Sequence, residues 1–271
     1  MSLRINLNAA AMNAQRQLQA TDNALASSIE KLSSGYKINR AADNPAGLAI
    51  SEGLRAQISG IGQAISNSND AVNMIKTAEG ALSEVHSLLR TMRDLAVHAS
   101  QTGTNDADAL AADQTQVDEA LAALDRISTN TAFGSKKLLD GTASGLVFQI
   151  GANSGETMTV SIGGTAASDL SIASIDVTGS ASAAIGLLDT AISTVSTVRA
   201  DLGSKMQSLQ SNMNSLGITK ENIAASESSI RDTDMAAEMA TFTRNQILLQ
   251  AGVAMLAQAN AAPQALLSLL R

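Results

Sequence analysis

The 271-residue chain is poor in cysteine, aromatic residues and proline. It has no cysteine, which excludes disulfides, thiolate metal sites and cysteine nucleophiles together. It has no tryptophan, one tyrosine and three phenylalanines, although bulky aromatic side chains usually fill broad globular cores. Such a composition favours thin cores of aliphatic residues and methionine between slender helices. Because Pro45 and Pro263 are the only prolines, long uninterrupted helices are permitted.

Positive charge and long apolar runs are also scarce. The chain has 18 basic and 25 acidic residues, a net charge of −7, and no stripe of Lys and Arg that would attract nucleic-acid phosphates. No run reaches the roughly 18 consecutive apolar residues of a transmembrane helix. The N-terminus lacks the apolar segment of a Sec-type signal peptide. We therefore expect no nucleic-acid partner and no membrane insertion, and we expect any secretion to use another route.

Residue patterns for catalysis and metal binding are missing as well. Nothing resembles the nucleophile elbow G-x-S-x-G, and no Gly-rich phosphate loop follows a strand. The only histidines, His86 and His98, stand twelve residues apart on one predicted helix, which is not a ligand spacing for one helix face. The middle segment has too few residues for an enzyme pocket. The sequence therefore predicts no catalytic residue, no metal and no cofactor, and a protein that is not an enzyme.

Heptad-spaced apolar residues mark both ends of the chain. A sustained spacing of three and four is typical of a helix that packs on another helix. Two such helices at opposite termini predict a chain that folds back on itself and a self-assembling subunit. An amphipathic membrane-surface protein is the alternative from a different class, but its polar faces would be rich in Lys and Arg. The predicted self-assembly residues are Leu18, Leu25, Ile29, Leu32, Met235, Met239, Phe242, Leu249, Val253 and Leu256.

The predicted fold class is mainly α, a long antiparallel helical bundle or coiled coil with a small β-hairpin segment. Asp43 is the predicted N-cap of the second helix, with Pro45 in its first turn. The composition of residues 163–180 predicts the least ordered part of the chain. The predicted helices cover residues 1 to about 33, 43 to about 100, 107–129, 182–230 and 234–259, and the predicted strands cover 146–150 and 158–162.

Neither end of the chain has enough large apolar side chains to offset the conformational entropy of ordering it. Both ends are therefore predicted to be largely disordered in the free monomer and to order when neighbouring copies bury them. The apolar tail at Leu266, Leu267, Leu269 and Leu270 fits this expectation, because such a cluster left in water favours aggregation.

The segment from Lys31 to Ile58, KLSSGYKINRAADNPAGLAISEGLRAQI, resembles the N-terminal signature of bacterial flagellins. The likeness covers about residues 1–155 and 185–271, and several ordered motifs make it specific. The other similar motifs are TAEGAL (77–82), RDLAV (93–97), FGSKKLLDG (133–141), FQIGAN (148–153), SSIRDTDMAAEM (228–239), LLQAGVAMLAQAN (248–260) and the closing LLSLLR.

The resemblance implies a structural subunit that self-assembles into the bacterial flagellar filament for swimming motility. Residues 1–42 and 235–271 would form an inner coiled-coil domain that lines the filament channel. Residues 43–234 would form an outer helical domain with a small β segment at about 130–180. Only about 35 residues stand where longer flagellins insert large variable outer domains. A hook–filament junction protein is the nearest alternative.

The resemblance also implies partners and a location. The partners are further copies of the chain, a flagellar secretion chaperone at the C-terminal helix, and the filament cap and hook-junction proteins. Export would run through a dedicated type III channel to an extracellular flagellum. A segment recognised by vertebrate Toll-like receptor 5 is implied at Leu89, Met92, Arg93, Asp94 and Leu95. Many flagellins carry an arginine where this chain has Thr91.

Overall fold

The computed structural model describes residues 8–101, 103 and 105–269, with 262–269 described by their backbone alone. The apolar tail singled out from the sequence therefore lies outside the described side chains. The helices are α1 (Ala9–Ser34), α2 (Pro45–Ala99), α3 (Ala107–Asn130), α4 (Val177–Arg231) and α5 (Met235–Leu269). The strands are β1 (Ala132–Phe133), β2 (Lys136–Lys137), β3 (Leu146–Gln149) and β4 (Thr157–Val160). The predicted mainly α class is confirmed.

The strands form two small antiparallel hairpins, β1–β2 and β3–β4. In the second hairpin Leu146 pairs with Val160 and Phe148 with Met158. These four side chains are buried or half-buried, whereas Val147 points to solvent, as the alternation of a strand with one packed face requires. The hairpin predicted at this place is confirmed, and each strand ends one or two residues earlier than predicted.

Side-chain caps set the starts of the first two helices. Asn8 Oδ1 accepts a hydrogen bond from the Ala11 N–H at 3.1 Å, and Asn44 Oδ1 accepts one from the Gly47 N–H at 2.9 Å. The N-cap predicted at Asp43 was therefore wrong by one residue. Asp43 Oδ2 instead accepts the N–H groups of Arg40 and Asn39, and these bonds hold the pKa of its carboxyl below the ordinary value.

The terminal helix α5 continues through Pro263 to Leu269, whereas the sequence predicted its end at about residue 259, before that proline. Proline in a helix interior has no N–H to donate to the carbonyl four residues earlier, which here belongs to Ala259. Asn8 Nδ2 donates to that carbonyl at 2.8 Å. The side chain that caps α1 therefore also satisfies the acceptor that Pro263 leaves without its helical donor, and this contact explains why α5 need not stop.

The chain divides into two compact units, and both boundaries fall inside helices. Unit 1 lies within Met1–Ala56 and Asn222–Arg271, and unit 2 is Gln57–Glu221. These limits differ from the domain limits predicted from the sequence, at 42/43 and 234/235. The division into an inner and an outer filament domain is a statement about a polymer, and it stays a prediction.

Unit 2 contains a continuous apolar core between α2, α3 and α4. Many heptad positions of α2 and α4 are fully buried there, as at Leu82, Leu89 and Leu202, and others are half-buried. The core is built mainly of leucine, isoleucine, valine, methionine and alanine, as the scarcity of aromatic residues predicted.

The segment between β4 and α4 is irregular but well packed, so its prediction as the least ordered part was wrong. Leu170, Ile172 and Ile175 are buried in the core of unit 2. Asp125 Oδ1 accepts the Ala167 N–H at 2.8 Å, and Gln114 Oε1 accepts the N–H of Val177 at 2.8 Å. Small and polar residues dominate the composition of this segment. A prediction from composition therefore missed the regularly spaced apolar residues that are buried in the core.

The turn of the β3–β4 hairpin is held by amide side chains from two helices. Asn67 Nδ2 on α2 donates to Gln149 O at 3.1 Å, and Asn212 Nδ2 on α4 donates to Ile150 O at 2.8 Å. The next residue, Gly151, is buried, and a Cβ there would lie 2.6 Å from the Cβ of Glu156. Only glycine fits at this position without displacing the turn.

Gly151→Ala is expected to lower the free energy of unfolding by about 1–3 kcal/mol, because the added methyl group forces the hairpin turn apart. Gly203→Ala is the matched control, since Gly203 lies inside α4 with open space around a built Cβ. That change is expected to be neutral or to stabilise by up to about 1 kcal/mol. Urea denaturation followed by circular dichroism measures both, and equal stabilities for the two variants would contradict the assigned role of Gly151.

The terminal-helix pair as a candidate interaction site

The helices α1 and α5 pack side by side in opposite directions and form the terminal-helix pair of unit 1. At one end of the pair Asn8 meets Ala259, and toward the other Lys31 Nζ lies 3.8 Å from Glu238 Oε2. Many Cα atoms of the two helices lie within 8 Å of each other. The two helices are therefore direct packing partners.

On α1 the contact alternates leucine with small or polar residues. Leu18, Leu25 and Leu32 are half-buried, while Thr21 and Ser28 between them are buried. The Thr21 hydroxyl donates to the carbonyl of Gln17 in its own helix, so burying it leaves no unpaired donor. The spacing of three and four therefore continues through residues that are not apolar.

Large and small or polar residues also alternate along α5, which runs antiparallel to α1. Phe242, Leu249 and Leu256 are half-buried, with Asn245 and Gly252 between them. A Cβ at Gly252 would lie 3.3 Å from Leu18 Cδ1. The large residue of one helix thus lies over the small residue of the other. The sequence prediction used large apolar residues alone and therefore left out the small residues of this contact, although their heptad spacing would have identified them.

Six of the ten predicted self-assembly residues lie in the contact between α1 and α5, and four do not. The four outside are between 47% and 54% exposed. Their participation in self-assembly stays a prediction. The six inside are Leu18, Leu25, Leu32, Phe242, Leu249 and Leu256, and the four outside are Ile29, Met235, Met239 and Val253.

Further apolar side chains of α5 are exposed beyond those predicted. Leu248 and Met255 border a groove of about 240 Å³, whose α1 side includes Gln17 and Thr21. Met255 is 66% exposed, and Ile247 is 61% exposed. The sequence has no charged residue between Arg244 and Arg271. The helix thus combines several apolar surfaces with almost no charge.

A second feature of unit 1 lies where the connectors leave α1 and α4, and we call it the Arg231 clasp. The guanidinium of Arg231 stacks over the ring of Tyr36, 4.8 Å from its centroid. Its Nη1 donates to Glu52 Oε1 on α2 at 2.6 Å. The Arg231 side chain is 12% exposed, and its Nε is buried with no hydrogen-bond partner among the described residues.

The backbone of the clasp is a single antiparallel bridge between Tyr36 and Asp232. The N–H of Lys37 donates to Arg231 O at 2.7 Å, and the N–H of Thr233 donates to Gly35 O at 2.9 Å. Gly35 ends α1 with a φ of 77°, a conformation that favours glycine. The clasp therefore joins the end of α1, the start of α2, the end of α4 and the residues that lead into α5.

The segment implied for receptor recognition is only partly at the surface of unit 2. Leu89 and Met92 are fully buried, and Leu95 is half-buried. Arg93 Nε donates to Asp189 Oδ1 at 2.6 Å, a bond that raises the pKa of Arg93 further above its usual range. Asp94 is exposed. Arg93, Asp94 and part of Leu95 are the groups of this segment that a partner could contact.

Neither histidine stands in a group that could bind a metal ion. His98 Nδ1 lies 2.7 Å from Asp113 Oδ2 and links α2 to α3. Among the described residues, no three His, Asp or Glu side chains come together as metal ligands would. By length and composition alone α4 could cross a membrane. Its apolar residues, such as Leu188 and Leu202, however, supply the core of unit 2.

Comparison with known proteins gives consistent matches at both ends of the chain. The bacterial flagellin N-terminal helical region matches residues 5–144, and the bacterial flagellin C-terminal helical region matches residues 185–270. The flagellin of Bacillus subtilis strain 168 is 43% identical over 304 aligned residues, which cover 99% of this chain and 100% of that protein. The chain belongs to the bacterial flagellin family. The flagellin of Halalkalibacterium halodurans is 46% identical and covers 98% of this chain and 99% of its own length.

A solved structure agrees with this membership. The crystal structure of Bacillus cereus flagellin is 29% identical with a TM-score of 0.50, and it covers 56% of this chain and 88% of its own. As a flagellin, the chain is a structural protein of the bacterial flagellar filament and not an enzyme. The junction-protein and membrane-surface alternatives are not favoured.

The clasp is expected to weaken at acidic pH, because the Arg231 hydrogen bond holds the pKa of Glu52 below its ordinary value of 4.5. A carboxyl with a depressed folded-state pKa stabilises fully above its unfolded-state value and loses that effect as pH falls through the lower folded-state value. Filaments of Glu52→Gln should therefore melt below unaltered filaments at about pH 6, and the difference should shrink as pH falls below 4.5 and be lost once the Glu52 carboxyl of the folded chain is protonated. A melting difference that persists unchanged at the lower pH would contradict the assignment.

Proposed function

We propose that the terminal-helix pair is the surface through which copies of this chain polymerise, with residues 1–42 and 235–271 as the inner domain of the filament and 43–234 as the outer domain. The observation that carries the proposal is that α5 still exposes apolar side chains after α1 has covered one of its sides. A helix that is apolar all round is stable only when it is surrounded. Further helices must therefore pack against α5.

The positions of the exposed side chains indicate several neighbours rather than one. Val253 lies on one flank of the contact with α1, Leu248 and Met255 lie on the other, and Ile247 lies opposite the contact. One two-fold partner would cover a single surface. Contacts between different surfaces of identical copies build a ring when the rotation between copies closes and an open helical polymer when it does not. This supports a filament in which each terminal-helix pair is enclosed by pairs of other copies.

The same surface supports a secretion chaperone as a partner before assembly. Between Arg244 and Arg271 no charge keeps α5 soluble, so an exported monomer needs this helix covered or unpaired. We propose that a flagellar secretion chaperone covers α5 inside the cell and that type III export delivers the chain to the growing extracellular flagellum. Cap and hook-junction proteins would then meet the terminal-helix pairs at the ends of the filament.

We propose that Toll-like receptor 5 would contact a smaller part of the segment 89–95 than the sequence implied. Burial of Leu89 and Met92 restricts the contact to Arg93, Asp94 and the exposed part of Leu95. Because Asp189 already pairs with Arg93, a receptor carboxylate would have to share or replace that partner. Reporter cells that express the receptor would test this with monomer and with an Arg93→Ala variant. An equal response to both would contradict it.

Met255→Asp is expected to abolish polymerisation, because burying an unpaired carboxylate against a neighbouring copy costs several kcal/mol. The side chain is mostly exposed in one chain, so the fold of the monomer should be retained. Met255→Leu keeps an apolar side chain of similar size and should polymerise normally. Sedimentation and electron microscopy of purified chains measure both. Normal filaments of the aspartate variant would refute the proposed role of α5.

The terminal helices are expected to be open to proteases in dilute monomer and protected in the polymer, because neighbours supply the missing burial. Limited proteolysis should cut α1 and residues 240–261 well before it cuts unit 2. Mass spectrometry of the fragments identifies the sites. Equal resistance of both units in dilute monomer would contradict the coupling of folding to assembly.

A further inference from the structure

We propose that Arg231 is a positioning residue for polymerisation: it fixes how the connectors on both sides of the terminal-helix pair leave α2 and α4, without contacting the neighbouring copy. This inference rests on the proposed function, since it concerns the same pair of helices. It goes beyond that function because it assigns the control of assembly to a residue outside the apolar contact.

The position of Arg231 in the chain is the first reason for this inference. Both connectors that join the terminal-helix pair to α2 and α4 pass through the clasp. Gly35 and Tyr36 follow α1, and Asp232 and Thr233 precede α5. Between these two connectors the backbone provides only the single bridge at Tyr36 and Asp232. A single bridge is too short to fix the connectors by itself, so their geometry depends on side chains.

The chemistry of the side chain is the second reason. Arginine is planar and presents its donors in a fixed fork, so it can stack on Tyr36 and bind Glu52 at the same time. The two contacts differ in kind, since one is made to the face of a ring and the other to a carboxylate oxygen. Together they fix the orientation of the last residue of α4 relative to the connector that follows α1. Lysine has no equivalent plane and could keep only the ionic contact.

The energetics argue for positioning rather than for stability. Glu52 is exposed to solvent, and exposed ion pairs contribute little to folding. The Nε of Arg231 is buried without a hydrogen-bond partner among the described residues, which is unfavourable. An aliphatic side chain would avoid that penalty, so stability alone does not account for an arginine here.

The main experiment measures the critical concentration for polymerisation of full-length Arg231→Met, Arg231→Lys and Arg55→Met chains beside the unaltered chain. Arg231→Met should raise it about tenfold, because a cation–π contact and a charge-assisted hydrogen bond are lost. Arg231→Lys should give an intermediate rise. Arg55→Met is the matched control, since Arg55 pairs with the same Glu52 at 3.1 Å but touches no ring.

The control should stay within about twofold of the unaltered chain. Thermal unfolding of unit 2 should be the same in all variants, which separates positioning from general destabilisation. Equal critical concentrations for Arg231→Met and Arg55→Met would overturn the inference. Failure of the unaltered chain to polymerise would instead refute the proposed function, and the two failures are therefore distinct.

A disulfide rescue tests whether orientation is what Arg231 supplies. Hydrogen bonds flank the Tyr36–Asp232 pair on both sides, which is the pattern of a non-hydrogen-bonded antiparallel pair with Cα atoms about 4.5 Å apart. That distance suits a disulfide, and the chain has no cysteine of its own. Arg231→Met combined with Tyr36→Cys and Asp232→Cys should polymerise at a lower concentration when oxidised than when reduced. Equal values in both states would overturn the positioning role.

Discussion

The structure depends on one constraint: α5 is apolar on more sides than a single helix partner can cover. Within the described chain α1 covers one side, and the side chains of Ile247, Leu248, Val253 and Met255 are left in water. In unit 2 the corresponding problem does not arise, because α2, α3 and α4 share one core. In the proposed function, the burial that unit 1 lacks is supplied by neighbouring copies.

Close approach of the two terminal helices makes this arrangement possible and also limits it. Small residues such as Thr21, Ser28 and Gly252 let the backbones come together, but they bury little apolar surface. The contact thus specifies register more than it stabilises. Asn8 helps to fix the register, because it caps α1 and donates to the carbonyl of Ala259. Pro263 has no N–H to donate to that carbonyl. A proline that usually ends a helix is tolerated because a residue some 250 positions away in sequence supplies the missing donor.

The parts of the fold that follow from periodicity could be predicted, and those that depend on single contacts could not. Repeated spacing over many turns placed α2, α3 and α4 within a few residues, because one atypical residue does not change a long pattern. The end of α5 was missed because Asn8 lies at the other end of the sequence. The residues between β4 and α4 were misjudged because their order comes from Asp125 and Gln114, which are also distant.

The candidate site shows the same division. Large heptad residues such as Leu18 and Leu249 were identified from the sequence, whereas the small residues between them were not, because apolarity was used as the criterion. Ile29 and Val253 fit the heptad equally well yet are more than half exposed. Periodicity identifies a surface but cannot say which copy covers it. The contacts of the Arg231 clasp could not be predicted from the sequence, since Tyr36, Glu52 and Arg231 lie in separate segments and meet only after folding.

Charge is divided between the units in a way that fits their different roles. Residues 57–221 contain 9 basic and 17 acidic residues, whereas the remaining residues contain 9 basic and 8 acidic. The excess negative charge on unit 2 opposes close association of copies and keeps that unit soluble. Unit 1 is almost neutral, and the helix that must meet its neighbours has the fewest charges. If the polymer grows through the terminal helices, as proposed, attraction and repulsion between copies are separated along the chain. The negative charge of unit 2 would then oppose contacts that lead to unspecific aggregation.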